Sequence, residues 1–420
     1  MLARISTLAA LGIWLGASWT ASADDNHAIL ILDLGGVRSD PKPRMVKVEV
    51  DTGKVLAQSE VGQGPDVGVS PKGDLVAVLT HNIVGGAGLG HARVEVYRTS
   101  DLKRLESGLL PFTGRMVYMD PVSDGTVVFA PDGQEIIVQR MISFFNKEKP
   151  SPLPVNNLQW NFVKREVDEE GFFKSSRKEV TVPRSGVPDF LRVLDWPRVQ
   201  FWNPEVAIVE AVDVSSGKIL SRLPLDYEDD PFVKGLDPIA LEAAEIGHRY
   251  FKLGANGSVI YGGGRFAYYL PDPGRNPKLE PGFIQKIDLK SIPPKVVRKG
   301  KKREPGLSTG LAAATDAGGA IFVVTKKSEK PKEGGNDVSH RRIRIYSTAD
   351  LSFLNEIESS LTNIDRLSPS LDGKYMYALD RMQSKLAVID VASGLEVKVL
   401  EKVTKYPYLM IPLPNLYEEK

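Results

Sequence analysis

The strongest constraint on the fold of this chain is an internal repeat, in which a short apolar strand leads into the same kind of tight polar turn. The turn reads Ser-Pro-Lys-Gly at 70–73, Ala-Pro-Asp-Gly at 130–133 and Ser-Pro-Ser-Leu-Asp-Gly at 368–373. Degraded copies occur at 255–257 and 316–318. Proline presets φ and the following glycine supplies a positive φ, so each copy predicts a β-hairpin.

A second turn recurs between later strands of each unit. It reads Asp-Thr-Gly-Lys at 51–54, Ser-Ser-Gly-Lys at 215–218 and Ala-Ser-Gly-Leu at 392–395, and Asp-Leu replaces Ser-Gly at 101–102 and 350–351. Connections this short leave no room for helices. The unit is therefore an antiparallel meander of four strands, which we name a to d from the centre of the fold outward.

Radial repetition of such units predicts an all-β fold, a seven-bladed β-propeller of four-stranded antiparallel blades. The innermost a strands are predicted to start near Gly64, Gly125, Val187, His248, Thr309, Asn363 and Tyr406. The C-terminal strand Tyr406–Leu413 should pair with the N-terminal strand Ala28–Leu32 and close the ring. Prolines interrupt 187–204, which leaves six blades or a distorted seventh as the alternative.

The repeat resembles the YVTN-type β-propeller repeat, a WD-repeat-like seven-bladed class that includes quinoprotein amine-dehydrogenase heavy chains. The resemblance spans 28–413, is clear at Gly62–Leu79 and Ser368–Val397, and is faint from Asn146 to Trp202. True WD repeats differ, because they pair a Gly-His dipeptide with a Trp-Asp dipeptide. The resemblance implies a propeller, and a propeller hosts many unrelated functions.

The amino terminus has the pattern of a secretory signal peptide. Met1–Arg4 is positively charged, Ile5–Trp19 is apolar, and Ala21-Ser22-Ala23 fits the cleavage site. We expect residues 1–23 to be removed and 24–420 to form a single propeller domain in the periplasm or outside the cell. The alternative is an uncleaved anchor, but the apolar run is shorter than the roughly 20 residues that span a bilayer. No membrane span is expected after cleavage.

Charge and cysteine content exclude several function classes. The 420 residues carry 54 Lys and Arg against 53 Asp and Glu, and this balance lacks the basic surface that nucleic-acid binding needs. With no cysteine, the chain has no disulfide, thiolate nucleophile, Cys-ligated zinc or iron–sulfur cluster.

The long connections are predicted to emerge on one face of the propeller. They are all b–c or d–a connections, at 35–44, 81–92, 112–123, 143–156, 226–247, 263–282 and 326–341. Long loops on a rigid scaffold are where binding sites usually lie. We expect this face to bind a protein partner or a small ligand, with Tyr268 and Tyr269 of the 263–282 connection as aromatic anchors.

Polar residues near the starts of the a strands are candidate ligand-binding groups. Asp66, Asp124, Asp189 and Asp365 stand within a few residues of such starts. They are expected to ring the mouth of the central channel, where calcium would be the matching hard cation, although aspartate at a strand start is also a common turn residue. His248 falls on the same loop face. No metal ligand is assigned and no cofactor is predicted.

No catalytic residue is assigned. Gly306-Leu307-Ser308-Thr309-Gly310 matches a nucleophile pattern, but the β-like sequence after it does not provide the strand-to-helix turn that the pattern requires. The expected function is an exported binding or scaffold module. Two alternatives stay open, a non-catalytic subunit of a periplasmic quinoprotein-like redox complex and a metal-dependent hydrolase or lactonase with carboxylates in the channel.

Overall fold

The computed structural model of the chain describes residues 27–34, 43–62, 66–81, 92–110, 125–144, 155–183, 189–203, 208–225, 257–271, 283–302, 308–328 and 339–413. These residues form 29 strands joined by turns. None of them lies in a helix, so this part of the chain contains no helical segment able to cross a membrane.

The strands form seven antiparallel sheets, the blades of a β-propeller. Blade 1 contains β1 (Ala28–Asp33), β2 (Arg44–Glu49) and β3 (Val55–Glu60), and its innermost strand comes from the C-terminal end of the chain. Blade 2 contains β4 (Asp66–Val69), β5 (Leu75–His81), β6 (Ala92–Arg98) and β7 (Arg104–Leu109). Blade 3 contains β8 (Gly125–Phe129), β9 (Glu135–Phe144), β10 (Val155–Val167), β11 (Phe173–Ser175) and β12 (Val180–Pro183).

The remaining blades follow in chain order. Blade 4 contains β13 (Asp189–Asp195), β14 (Arg198–Asn203), β15 (Ile208–Asp213) and β16 (Lys218–Pro224). Blade 5 contains β17 (Gly257–Tyr261), β18 (Phe266–Pro271), β19 (Phe283–Asp288) and β20 (Lys295–Lys302). Blade 6 contains β21 (Ser308–Thr315), β22 (Ala320–Ser328), β23 (Ser339–Ser347) and β24 (Phe353–Glu358). Blade 7 contains β25 (Arg366–Pro369), β26 (Tyr375–Asp380), β27 (Lys385–Asp390) and β28 (Leu395–Glu401), and β29 (Pro407–Leu413) then joins blade 1.

The core is divided among the contacts between neighbouring blades. Each of the seven blade pairs, including blades 7 and 1, shares one cluster of buried apolar side chains. Strand β1 shows why its sequence is continuously apolar: Ile29 packs against blade 7 and Leu30 packs against blade 2. A strand buried on both faces loses the usual apolar–polar alternation, because neither face meets water.

The predicted closure of the ring is confirmed. Strand β29 pairs antiparallel with β1, and Leu30 stands opposite Ile411 in the register. Blade 4, where prolines made the sequence ambiguous, is also a sheet of four strands, with two register shifts between β13 and β14.

The predicted starts of the a strands agree closely with the structure in six blades, but the position predicted for blade 5 is wrong. Its innermost strand β17 begins at Gly257, whereas the sequence predicts a start near His248. The turn that follows β17 is Gly262-Gly263-Gly264, with Gly263 at φ +87°. The sequence predicts this turn at Asn256-Gly257, but Gly257 is the first residue of β17, and Asn256 lies outside the described residues. The same turn chemistry is present at both places, and only the pairing of β17 with β18 distinguishes them.

Blade 3 departs from the four-strand pattern because two strands share its outer position. Strand β10 pairs with β11 through Val163 and with β12 through Trp160.

The serine of the nucleophile-like pattern lies in a β-strand. Ser308 is the first residue of β21 and stands opposite Lys326 of β22.

The innermost strands approach one another closely at one point of the channel wall. A Cβ atom on Gly68 of β4 would lie 2.0 Å from the carbonyl oxygen of Val127 in β8. Glycine is therefore required at position 68 by close contact between two backbones.

Candidate functional site

The antiparallel meander places the two classes of connection on opposite faces of the ring. The b–c and d–a connections start and end on one face, which we call the loop face. The a–b and c–d turns lie on the other, the turn face. Eleven internal segments fall outside the described residues, and each joins strands at the loop face: 35–42, 63–65, 82–91, 111–124, 145–154, 184–188, 204–207, 226–256, 272–282, 303–307 and 329–338.

Three of the four predicted aspartates lie at or beside the loop-face ends of innermost strands. Asp66 is the first residue of β4, Asp189 is the first residue of β13, and Asp365 directly precedes β25. Asp124 and His248 lie outside the described residues. Within the described part of the chain, no group of three His, Asp or Glu side chains is placed to hold a metal ion. A calcium-binding ring that includes Asp124 stays a prediction.

The carboxylate of Asp365 makes local hydrogen bonds. Asn363 donates to both of its oxygens from Nδ2, at 3.0 and 2.9 Å, and the backbone N–H of Arg381 donates to Oδ2 at 2.9 Å. These bonds connect the start of β25 to the residue that follows β26. Asp365 therefore holds two strand ends together at the loop face, as a turn-stabilising aspartate does.

A cationic cluster lies beside Asp365 on the loop face. The guanidinium carbon of Arg381 is 5.1 Å from the centre of the Tyr408 ring, and that of Arg366 is 5.9 Å from the same ring. Nη1 of Arg366 donates to the carbonyl oxygen of Asp365 at 3.1 Å. Neither guanidinium pairs with a carboxylate among the described residues. We call Arg366, Arg381 and Tyr408 the arginine–tyrosine cluster.

Sequence spacing did not single out this cluster, because its members come from blades 7 and 1. Arg366 starts β25, Arg381 follows β26, and Tyr408 belongs to β29. One signal was present: the dipeptide Asp-Arg occurs at 365–366 and again at 380–381, at two loop-face strand ends of the same blade.

The expectation that Tyr268 and Tyr269 are exposed loop anchors is wrong. Both lie in β18 and are fully buried. Tyr268 faces blade 6 and donates its hydroxyl hydrogen to Oδ1 of Asp316 at 2.5 Å, whereas Tyr269 packs beside Trp202 of blade 4. Burial, with the Asp316 carboxylate as a further cause, raises the pKa of Tyr268. The error follows from the misplaced turn of blade 5, which put a strand into the predicted loop.

The central channel contains a cavity of about 1170 Å³. All seven blades contribute to its wall through their innermost strands and the adjoining a–b turns. Valine, phenylalanine, leucine and alanine make up much of the lining, and Arg192 and Asp316 are its charged members among the described residues.

The sequence matches no family model, and no curated protein matches it significantly. Solved structures resemble the fold. A protein from Lactobacillus plantarum is 10% identical with a TM-score of 0.55, over 92% of this chain and 99% of that chain. Apo AztD from Citrobacter koseri is 14% identical with a TM-score of 0.45, over 92% and 98% of the two chains. Dihydro-heme d1 dehydrogenase NirN in complex with DHE is 15% identical with a TM-score of 0.44, over 92% and 75%. The Lactobacillus plantarum likeness supports the propeller fold and carries no information on activity.

Proposed function

We propose that this chain is an exported binding module whose loop face captures a protein partner or a small ligand. The observation that carries the proposal is the asymmetry of the ring. Every b–c and d–a connection, including 226–256 and 111–124, begins and ends at one face, whereas the a–b and c–d connections at the opposite face are short turns in the described part of the chain. Long connections on a rigid scaffold are the usual location of binding residues. Export rests on the signal-peptide pattern of residues 1–23, and the proposal that the repeats are of the YVTN type rests on their turn motifs.

The arginine–tyrosine cluster supports binding at this face. Arginine and tyrosine are enriched among the residues that dominate binding energy at interfaces. Arg366 and Arg381 are half-buried and are held beside Tyr408 by strand ends of two blades. A partner that brings an acidic group to this point gains charge-assisted hydrogen bonds without first breaking an ion pair between described residues.

The decisive experiment compares loop-face and turn-face variants of the full chain. Replacing 272–282 or 329–338 by a two-residue Asn-Gly turn should abolish crosslinking of the purified protein to its partner in an extract of the exporting compartment. The double variant Lys72→Glu and Lys218→Glu changes two exposed turn-face positions and should crosslink normally. Circular dichroism establishes that all three variants are folded. A partner kept by both shortened variants but lost by the turn-face variant would overturn the proposal.

Two alternative functions can be distinguished from this proposal by the partner that is bound and by the metal content of the protein. A subunit of a periplasmic redox complex would crosslink through the same face to a protein that carries a redox cofactor. A metal-dependent hydrolase or lactonase would bind calcium through Asp66, Asp124, Asp189 and Asp365, and calcium would then raise its melting temperature through binding to the native state. A calcium titration without a thermal shift would leave these four residues as turn residues.

A further inference from the structure

The cavity in the central channel lies toward the turn face, away from the arginine–tyrosine cluster. Its wall includes the a–b turns at 70–73, 262–264, 316–317 and 370–371. A volume of about 1170 Å³ is large enough for a small organic molecule, and apolar walls with few polar groups are typical of such sites. The proposed capture of a partner at the loop face makes no use of this cavity.

A distortion of β13 places a cation in the cavity wall. The pairing of β13 with β14 shifts register between Phe190 and Arg192, and it shifts again between Val193 and Asp195. A β-bulge breaks the strict alternation of side chains along a strand and re-aims them. Phe190 and Val193, three positions apart, consequently pack on the same side of the strand, against blade 3. Leu191 packs against blade 5, and both Leu191 and Arg192 contribute to the cavity lining.

The guanidinium of Arg192 is only weakly bonded within the protein. Nε donates to the carbonyl oxygen of Val193 at 3.4 Å, and Nη1 donates to that of Gly264 at 3.5 Å. Both distances lie at the long limit for hydrogen bonds. No carboxylate among the described residues pairs with this half-buried cation. Its charge is therefore available to a ligand in the cavity.

A tyrosine lies next to Arg192 and shares one of its acceptors. The hydroxyl of Tyr261 donates to the carbonyl oxygen of Gly264 at 2.9 Å, and Nη1 of Arg192 approaches the same oxygen. Burial raises the pKa of Tyr261, so its phenol remains protonated at neutral pH. The rim beside Arg192 and Tyr261 is open, because a Cβ atom on Gly263 would meet no heavy atom within 4 Å.

The other charged residue of the described wall, Asp316, is hydrogen-bonded to blade 5. Asp316 accepts the hydroxyl hydrogen of Tyr268 at Oδ1 and a weak hydrogen bond from the backbone N–H of Phe266 at Oδ2, at 3.4 Å. A Cβ atom on Gly262 would lie 2.6 Å from Oδ1. The carboxylate is thus held against blade 5, and Arg192 is the charged group of the described wall that has no carboxylate partner among the described residues.

We propose that the cavity on the turn-face side of the channel binds a small organic monocarboxylate, with Arg192 bonding the carboxylate and the apolar wall holding the body of the ligand. One guanidinium matches one carboxylate, because its planar fork fits the two oxygens. The apolar lining favours a ligand with an apolar body over a highly charged one.

The test uses calorimetric titration of the full mature chain with two carboxylates and their neutral counterparts. Benzoate and hexanoate should bind saturably, whereas benzamide and hexanamide should bind far more weakly. Arg192→Gln should weaken benzoate and hexanoate binding about 10- to 100-fold, the expected loss of a charge-assisted hydrogen bond. The affinity of Arg192→Lys for the two carboxylates should lie between those of the wild type and Arg192→Gln, because lysine keeps the positive charge but lacks the planar fork of the guanidinium.

The matched control is Arg198→Gln in the same blade. Arg198 is exposed and forms an ion pair with Asp195, so its loss should leave carboxylate binding unchanged. A melting temperature close to that of the wild type shows that each variant is folded. Equal binding by wild type and Arg192→Gln, or no binding of either carboxylate to the folded wild type, would overturn the proposal. Binding of inorganic phosphate in place of both carboxylates would also overturn it.

Discussion

Closure of the ring by the last strand can be tested with one methionine. Met410 of β29 is 4% exposed and packs in the cluster between blades 7 and 1, with Ile29 and Tyr377. Met410→Ala removes these contacts and leaves a cavity, because the two surrounding sheets cannot collapse onto it. Substitutions of this kind lower the free energy of unfolding by about 2–5 kcal/mol.

The expected change in melting temperature follows from the size of the chain. With about 2.1 cal/mol/K of unfolding entropy per residue, 420 residues give roughly 0.9 kcal/mol/K. Met410→Ala should therefore lower the melting temperature by about 2–6 °C in differential scanning calorimetry. Met382→Ala is the matched control, because Met382 is 84% exposed and its loss should change the melting temperature by less than about 1 °C.

A larger perturbation completes the series. Deleting 404–420 removes β29 and leaves one edge of β1 without a partner, so the melting temperature should fall further than in Met410→Ala. If Met410→Ala and Met382→Ala have the same melting temperature, or if the deletion leaves the melting temperature unchanged, β29 does not close the ring.

Three further substitutions test contacts within and between blades. Gly68→Ala should lower the urea midpoint strongly, since its Cβ would collide with the Val127 carbonyl; an unchanged midpoint would mean that the two strands are further apart. Hydrogen bonding by Arg265 lowers the pKa of Asp288 to about 2, so this pair stabilises the fold above about pH 4 and the stabilisation is lost as the pH falls toward 2. Arg265→Gln should flatten that acid dependence and raise the Asp288 pKa measured by NMR. Tyr268→Phe should lower the free energy of unfolding by about 1–3 kcal/mol, because a partly buried carboxylate in the next blade loses its donor, and a neutral effect would argue against that hydrogen bond.

The architecture was predictable because the turns, more than the strands, carry the repeat. The turns keep their conformation even in the two c–d turns where Asp-Leu replaces Ser-Gly. Leu102 and Leu351 adopt φ of 55° and 63°, in the region that glycine favours. Both side chains are buried, at 2% and 3% exposure, and burial of a leucine offsets the backbone strain. The backbone conformation of these turns therefore depends more on their position in the repeat unit than on which residue occupies it.

Blade 5 shows where turn chemistry alone fails. Asn256-Gly257 and Gly262-Gly263-Gly264 are both good turn sequences and lie one short strand apart. The choice between them depends on pairing, with Val259 opposite Tyr269. Register is fixed by burial across the sheet, and local sequence does not reveal it.

The candidate sites depend on contacts between distant segments. Asp66, Asp189 and Asp365 were placed correctly at strand starts, because that placement needs only the order of the strands. Arg366 and Arg381 meet Tyr408 only after ring closure brings β29 beside blade 7. Arg192 faces the cavity through irregular pairing of β13, which regular alternation would not predict.

The composite blade 1 also determines where the two ends of the folded ring emerge. Ala28 and Leu413 stand directly opposite each other, at the place where the other blades have an a–b turn. A short linker from Leu413 to Ala28 would supply that turn, and new termini could be opened in the 329–338 connection to give a circular permutant. A carrier protein fused next to Ala28 or Leu413 would be attached at the turn-face side. Display of the ring on a support through either attachment point would thus orient the loop face toward the surrounding solution.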